Sequence, residues 1–99
     1  MAQLTLNGTV RAQSGRGDEM EPLLRAMVAA GRSEAGCLHY SVHRSVEDAD
    51  LFLMVGFWAT QEAMERVGQS DANMELFGQM QPLMDGMPDM EVYQAIDDD

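Results

Sequence analysis

The segment from Leu51 to Ala59, LFLMVGFWA, constrains the fold more than any other part of this sequence. Its residues alternate between two faces of a predicted strand, and both faces are apolar. One face carries Phe52, Met54, Gly56 and Trp58, and the other carries Leu51, Leu53, Val55 and Phe57. A strand that is apolar on both faces has to be covered on both. Helices of the same chain supply one cover, and in a chain of 99 residues the simplest second cover is another copy. We therefore expect a homodimer that pairs through the free face of the sheet.

Charge and cysteine content exclude several classes of function. The formal net charge is −11 and all six basic residues are arginine, so nucleic acid and anionic membranes are poor partners. Cys37 is the only cysteine, which excludes an intrachain disulfide and a cysteine-based zinc site. The first ten residues lack the pattern of a signal peptide, and no apolar run approaches the ~20 residues that span a bilayer. We expect a cytoplasmic protein.

Hydrophobic periodicity and turn composition divide the chain into seven elements. The sequence predicts strands at 3–12, 37–46, 51–59 and 90–96, and helices from Asp18 to about Gly31, from Gln61 to Val67 and from Ser70 or Asp71 to near Pro82. Asp18 is predicted as the N-cap of the first helix, with Glu21 completing a capping box. The order β-α-β-β-α-α-β predicts an α+β, ferredoxin-like sandwich, a four-stranded antiparallel sheet with helices on one face. One domain covers residues 1–96, and residues 97–99 form an acidic disordered tail.

In the second strand, strict alternation places Leu38, Tyr40 and Val42 towards the helices. The same alternation places Cys37, His39, Ser41 and His43 on the opposite, subunit-facing side. Trp58 follows Gly56 on the helix-facing side of the third strand, which brings it to the same side as Tyr40.

Glu34, Gly36, Cys37 and Tyr40, followed by Trp58 and Thr60 at the start of a helix, form an E-x-G-C-x-x-Y element and a W-x-[ST] element. In this order and spacing they resemble the antibiotic biosynthesis monooxygenase (ABM) family. The resemblance extends from the first strand to the closing Glu91-Val92-Tyr93. It implies a dimeric α+β barrel, in which two sheets pack face to face. It also implies oxidation of phenols or quinols by O2 without metal, flavin or haem.

The chain departs from the family pattern at several polar positions. Many members have a glutamate two residues before the tryptophan, where this chain has Gly56, which removes an acid-base group and opens pocket volume. Histidines common in the following helical segment correspond to Val67 and Ala72. Haem-degrading relatives use an asparagine and a histidine whose positions fall on Gly8 and near Phe77, so we set a haem site aside.

The resemblance and the alternation together give the candidate site. We expect Tyr40 and Trp58 to hold an aromatic or quinol-like substrate, with Tyr40 acting on its hydroxyl and His39 as a further catalytic candidate, because histidine is a suitable general base near pH 7. The expected substrate-binding residues are Met54, Gly56, Val67, Met74 and Phe77. No metal or cofactor is expected. The leading interpretation is a cofactor-independent monooxygenase, and the alternative is a non-catalytic small-ligand-binding dimer of the same fold.

Overall fold

The computed structural model describes residues 3–97, so Asp98 and Asp99 of the expected acidic tail lie outside the described residues. The elements are β1 (Leu4–Arg11), α1 (Gly17–Gly31), β2 (Cys37–Arg44), β3 (Leu51–Trp58), α2 (Gln61–Gly68), α3 (Asp71–Met80), a short 3₁₀ turn (Gln81–Leu83) and β4 (Asp89–Gln94). Their order confirms the prediction of β-α-β-β-α-α-β.

The four strands form one sheet in the order β2-β3-β1-β4, and each neighbouring pair is antiparallel. The two apolar-rich strands β3 and β1 lie in the centre, while β2 and β4 form the edges. The helices pack on one face of this sheet, which confirms the ferredoxin-like α+β fold.

The core lies between the helices and the sheet. It contains the inward residues of α1 and of the central strands, with Trp58, Phe52, Met20, Leu24, Met54, Met80 and Val10 as its largest fully buried side chains. The register places Trp58 opposite Leu4, Gly56 opposite Leu6, and Met54 opposite Gly8. The residues that alternation assigned to the helix-facing side of β3, Phe52, Met54, Gly56 and Trp58, are all buried on that side.

The start of α1 differs from the prediction. The helix begins at Gly17, and its N-cap residue, Arg16, makes no capping hydrogen bond with its side chain. Asp50, at the end of the β2–β3 loop, caps it instead: one carboxylate oxygen accepts from the backbone N–H of Gly15 and the other from that of Gly17, both at 2.9 Å. The predicted capping box at Asp18 was wrong, because a residue distant in sequence supplies the acceptor.

The start of β2 also differs. Cys37 pairs with Trp58 and Tyr40 pairs with Gly56, so two residues of β2 oppose one residue of β3 at this point. This bulge changes the phase of the alternation. Cys37 therefore packs against the core, and Leu38, expected to face the helices, is 57% exposed. From His39 onwards the predicted faces are confirmed.

Candidate functional site

Trp58 and Tyr40 form the centre of a buried aromatic cluster under the helices. Their rings meet edge to face, with centroids 5.3 Å apart and an interplanar angle of 65°. The residues are only 1% and 5% exposed. The two aromatic residues that the sequence singled out are therefore brought together.

Gly56 lies directly beneath this cluster. A Cβ atom at this position would come within 2.8 Å of the Trp58 indole nitrogen Nε1 and within 3.2 Å of Tyr40 Cδ1. The volume that a missing side chain was expected to leave open is occupied by the tryptophan. That expectation was wrong, because the absence of a side chain allows the indole to lie on the strand.

The Trp58 indole N–H is a buried donor without an acceptor. Among the side-chain nitrogen and oxygen atoms of residues 3–97 that are themselves fully buried, it is the one without a hydrogen-bond partner. An unsatisfied buried donor costs about 1–3 kcal/mol, so such groups are uncommon and often mark a functional position.

Tyr40 is held protonated by its surroundings. Its ring packs against Gly31, where a Cβ atom would lie 2.7 Å from the tyrosine ring and 3.3 Å from Val67 Cγ1. Burial, with a smaller contribution from Cys37, raises the pKa of Tyr40 to about 12. At neutral pH its hydroxyl can therefore donate a hydrogen bond, but it cannot act as a general base.

An open groove lies at the β4 edge, on the same helix-covered side of the sheet as this cluster, between α3, the turn before β4 and β4 itself. We call it the methionine groove; it has a volume of about 430 Å³ and is lined by Gly68, Asn73, Met74, Phe77, Met87, Pro88 and Met90. None of these side chains titrates. Met74, expected to point inward from α3, is 62% exposed and forms part of the wall.

The expected site residues therefore separate into distinct places. Tyr40, Trp58, Gly56 and Val67 lie in the buried cluster, while Met74 and Phe77 line the groove. Met54 is buried and lies next to Met90, which crosses over Gly8. The sequence analysis did not select Met87, Pro88 or Met90, which also line the groove. Met90 begins the strand predicted at 90–96, and its alternation with Glu91 along that strand was the available signal.

His39 lies on the opposite face of the sheet. Its Nε2 atom is 2.9 Å from Ser41 Oγ, which is also 2.9 Å from His43 Nε2, so one hydroxyl bridges the two imidazoles. The His39 ring packs on Phe57 with centroids 5.2 Å apart. The sheet separates His39 from the aromatic cluster, so the structure does not bring it to the residues with which it was grouped.

Three further observations concern metal binding, the Cys37 thiol and membrane-spanning helices. Within residues 3–97, no group of three or more His, Cys, Asp or Glu side chains is arranged to hold a metal ion. Burial raises the pKa of the Cys37 thiol, which fits a packed residue rather than a nucleophile. None of the helices in the described part of the chain has the length and apolar character that crossing a membrane requires.

The fold and the buried Trp–Tyr pair define the class of protein: a ferredoxin-like α+β fold with a candidate site between its sheet and its helices. The model of the family described as "Antibiotic biosynthesis monooxygenase" matches residues 4–79, and the chain belongs to this family. No protein with a curated function matches the chain in sequence.

Solved structures support the same assignment. PA3566 from Pseudomonas aeruginosa is 30% identical with a TM-score of 0.90, over 98% of this chain and 97% of that one. An antibiotic biosynthesis monooxygenase is 18% identical with a TM-score of 0.88, over 95% and 99% of the two chains. Rv0793 from Mycobacterium tuberculosis is 17% identical with a TM-score of 0.87, over 97% of each chain. The last two show similarity of fold alone.

Proposed function

We propose that the protein is a cofactor-independent monooxygenase that oxidises a small aromatic or quinol-type substrate with O2. The observation that carries the proposal is the methionine groove, which opens at the β4 edge on the same helix-covered side of the sheet as the buried Trp58–Tyr40 pair. Its volume of about 430 Å³ is that of a small-molecule site. Thioether and phenyl side chains favour a flat aromatic ring, because sulfur packs well against aromatic faces and edges.

The chemistry requires no electrons from outside the substrate. An ionised phenol or hydroquinone transfers electrons to O2, and one oxygen atom becomes a new carbonyl on a ring carbon that carries hydrogen, ortho or para to the hydroxyl. The hydrogen of that ring carbon and the hydroxyl proton leave with the second oxygen atom as water. The substrate supplies all four electrons, so the protein has to bind the ring and exclude competing reactions.

The described residues suggest how the roles are divided. Met74 and Phe77 hold the ring in the groove. Trp58 is 1% exposed and does not line the groove, so its unpartnered indole N–H is assigned no contact with the substrate. Tyr40 stays protonated, so the substrate must ionise by itself. The rate should therefore rise with pH according to the pKa of the substrate's own hydroxyl group.

A second candidate is a non-catalytic protein that binds the same class of ligand. It is favoured by the lining of the methionine groove, which contains no titratable side chain. It is favoured also by Gly56, which stands where many family members have a carboxylate.

Oxygen consumption by metal-stripped protein tests both candidates. Hydroquinones of graded acidity would be compared with their autoxidation blanks, in wild type, Met74→Glu and Val46→Glu. Both residues are exposed and apolar, but Val46 is fully exposed and lies outside the groove. A carboxylate in the groove should repel the quinolate and lower kcat/KM by about tenfold, the effect of ~1.4 kcal/mol. The Val46→Glu variant should match wild type.

Fluorescence separates the outcomes, because Trp58 is the only tryptophan. Saturable uptake that Met74→Glu weakens supports the monooxygenase. Saturable quenching without uptake above the blank supports the ligand-binding candidate. Neither uptake nor quenching across the panel would contradict both.

Family members are commonly dimeric. We propose that this chain also forms a homodimer, through the outer face of its sheet.

A further inference from the structure

A second groove lies at the opposite edge of the sheet, between α1 and the edge strand β2. We call it the arginine groove; it has a volume of about 390 Å³ and is lined by Glu21, Arg25, Val28, Arg32, Ser41, Val42, His43, Arg44 and Phe52. Three of the six arginines of the chain line this one groove, in a molecule with a formal net charge of −11. Glu21 is its only carboxylate, and Asp18 contacts Arg44 at 3.0 Å without lining the groove.

The three guanidinium groups differ in how many of their nitrogen atoms already make hydrogen bonds within the protein. Arg44 uses all three nitrogens: Nε donates to Ala49 O at 2.6 Å, and the other two contact Glu21 and Asp18. Arg25 and Arg32 each use Nε alone. Arg25 Nε donates to Glu21 at 3.0 Å, and Arg32 Nε donates to the backbone carbonyl of Tyr40 at 2.8 Å. Within residues 3–97, the terminal nitrogens of Arg25 and Arg32 make no hydrogen bond, so both keep donors free for an anion.

The strand side of the groove adds a backbone donor. Tyr40 accepts from Arg32 with its carbonyl, so the backbone polar groups of Tyr40 point away from β3. In an antiparallel pair this orientation repeats every second residue, so the N–H and C=O of Val42 also point outward from the sheet edge. Val42 lines the groove, and from the strand geometry we infer that its N–H points to the same side of the sheet edge as the groove.

The floor of the groove is apolar. Val28 and Phe52 are 3% and 1% exposed, and they carry no polar group. The Arg44 guanidinium lies over the Phe52 ring at 5.2 Å from its centroid and covers it. The groove therefore combines a hydrophobic base with free guanidinium groups at its rim.

We propose that the arginine groove binds a small molecule with a flat apolar body and one carboxylate or phosphate group. The anion is held by the terminal nitrogens of Arg25 and Arg32 and by the Val42 N–H, since guanidinium groups match the geometry of both anions. The apolar body packs against Val42, the half-buried apolar side chain of the lining, above the buried Val28 and Phe52. This site is separate from the methionine groove and does not depend on the proposed oxidation.

An NMR titration of the full chain tests the site with defined probes: benzoate, phenyl phosphate, inorganic phosphate and uncharged benzamide. Benzoate or phenyl phosphate should shift the amide signals of residues 41–44 and the Nε–H signals of Arg25 and Arg32 in a saturable way. Inorganic phosphate should bind about tenfold more weakly, because it has no apolar body to pack against Val42. Whichever aromatic anion binds more tightly identifies the preferred charged group.

Matched variants separate this site from general attraction to arginine. Arg25→Gln removes a guanidinium that is 72% exposed and so should leave the fold intact. It should raise the Kd of the tighter aromatic anion about tenfold. Arg66→Gln is the control, because Arg66 is also exposed and paired with a glutamate, but lies outside the groove. It should leave the Kd unchanged.

Three results would overturn the proposal. Benzamide binding as tightly as benzoate would show that the anion does not matter. Equal effects of Arg25→Gln and Arg66→Gln would show unspecific attraction. Signals that do not shift at residues 41–44 with either aromatic anion would show that no such site exists.

Discussion

Gly56 controls how Trp58 packs, and this can be tested by a single methyl group. In Gly56→Ala the new Cβ would lie 2.8 Å from the indole nitrogen and 3.2 Å from Tyr40 Cδ1. Both rings are buried and rigid, so overpacking should lower the free energy of unfolding by about 1–3 kcal/mol. Urea denaturation measures the change.

Gly78 provides the matched control for that substitution. It lies on the exposed side of α3, and a methyl group added there would have no neighbouring atom within 4 Å. Gly78→Ala should therefore raise stability by about 0.5–1 kcal/mol through helix propensity. A Gly56→Ala protein as stable as wild type would contradict the packing of Trp58 described above.

Tyr40 should make the protein sensitive to alkaline pH. Its pKa is about 12 in the folded chain, against the ordinary value of 10.0. A raised folded-state pKa contributes stability that is present in full below pH 10 and is lost as the pH rises towards 12. The loss should reach about 2–3 kcal/mol.

The check compares wild type with Tyr40→Phe by urea denaturation between pH 8 and pH 11.5. The variant keeps the ring but has no hydroxyl to ionise, so its stability should fall less steeply. Tyr93 is present in both proteins, so its ionisation cancels in the comparison. If the free energies of unfolding of the two proteins changed with pH in parallel, folding would not raise the pKa of Tyr40.

The site was only partly predictable at this scale. Alternation along two strands was enough to place Tyr40 and Trp58 on one face, because that depends on backbone geometry alone. The filling of the space over Gly56 depends on the side-chain conformation of Trp58, which no sequence pattern encodes. The groove wall at Met87 and Pro88 depends on where a turn folds back, which its composition does not specify.

At the scale of elements, the periodicity predicted every strand and helix, with ends that differ by one or two residues. The predictions were wrong where the conformation of one element is determined by its contacts with another element. The bulge after Cys37 alters the faces of β2, and it is defined by pairing with β3 rather than by local sequence. The cap of α1 is Asp50, which lies 33 residues beyond the Gly17 N–H that it accepts.

Because Asp50 and not Asp18 caps α1, substitution of Asp50 should lower the stability more than substitution of Asp18. Asp50→Ala removes the acceptor for two backbone N–H groups and should lower the free energy of unfolding by about 1–2 kcal/mol. Asp18→Ala removes a carboxylate that is 92% exposed and paired with Arg44, and should change stability by less than about 1 kcal/mol. Urea denaturation of both variants measures the difference. If the Asp18 variant lost more stability than the Asp50 variant, the result would support the local capping box at Asp18 instead of the cap by Asp50.

At the scale of the whole molecule, β3 is apolar on the face that the helices do not cover. Leu53 is 38% exposed on this face, and Val55 and Phe57 are half-buried between the side chains of β1 and β2. On the covered face of the same strand, Phe52 and Met54 are each 1% exposed. A central strand with apolar residues on a solvent-facing side favours burial against another surface.

We expect sedimentation velocity at micromolar concentration to show a dimer, since a second copy offers the same apolar strip around a two-fold axis. Leu53→Asp places a carboxylate in the middle of this face and should shift the protein to monomer, because a buried unpaired charge strongly opposes association. Val46→Asp adds the same charge at a fully exposed loop position and should remain dimeric. A wild-type monomer, or a Leu53→Asp dimer as tight as the Val46→Asp dimer, would mean that the outer face of β3 is not the interface.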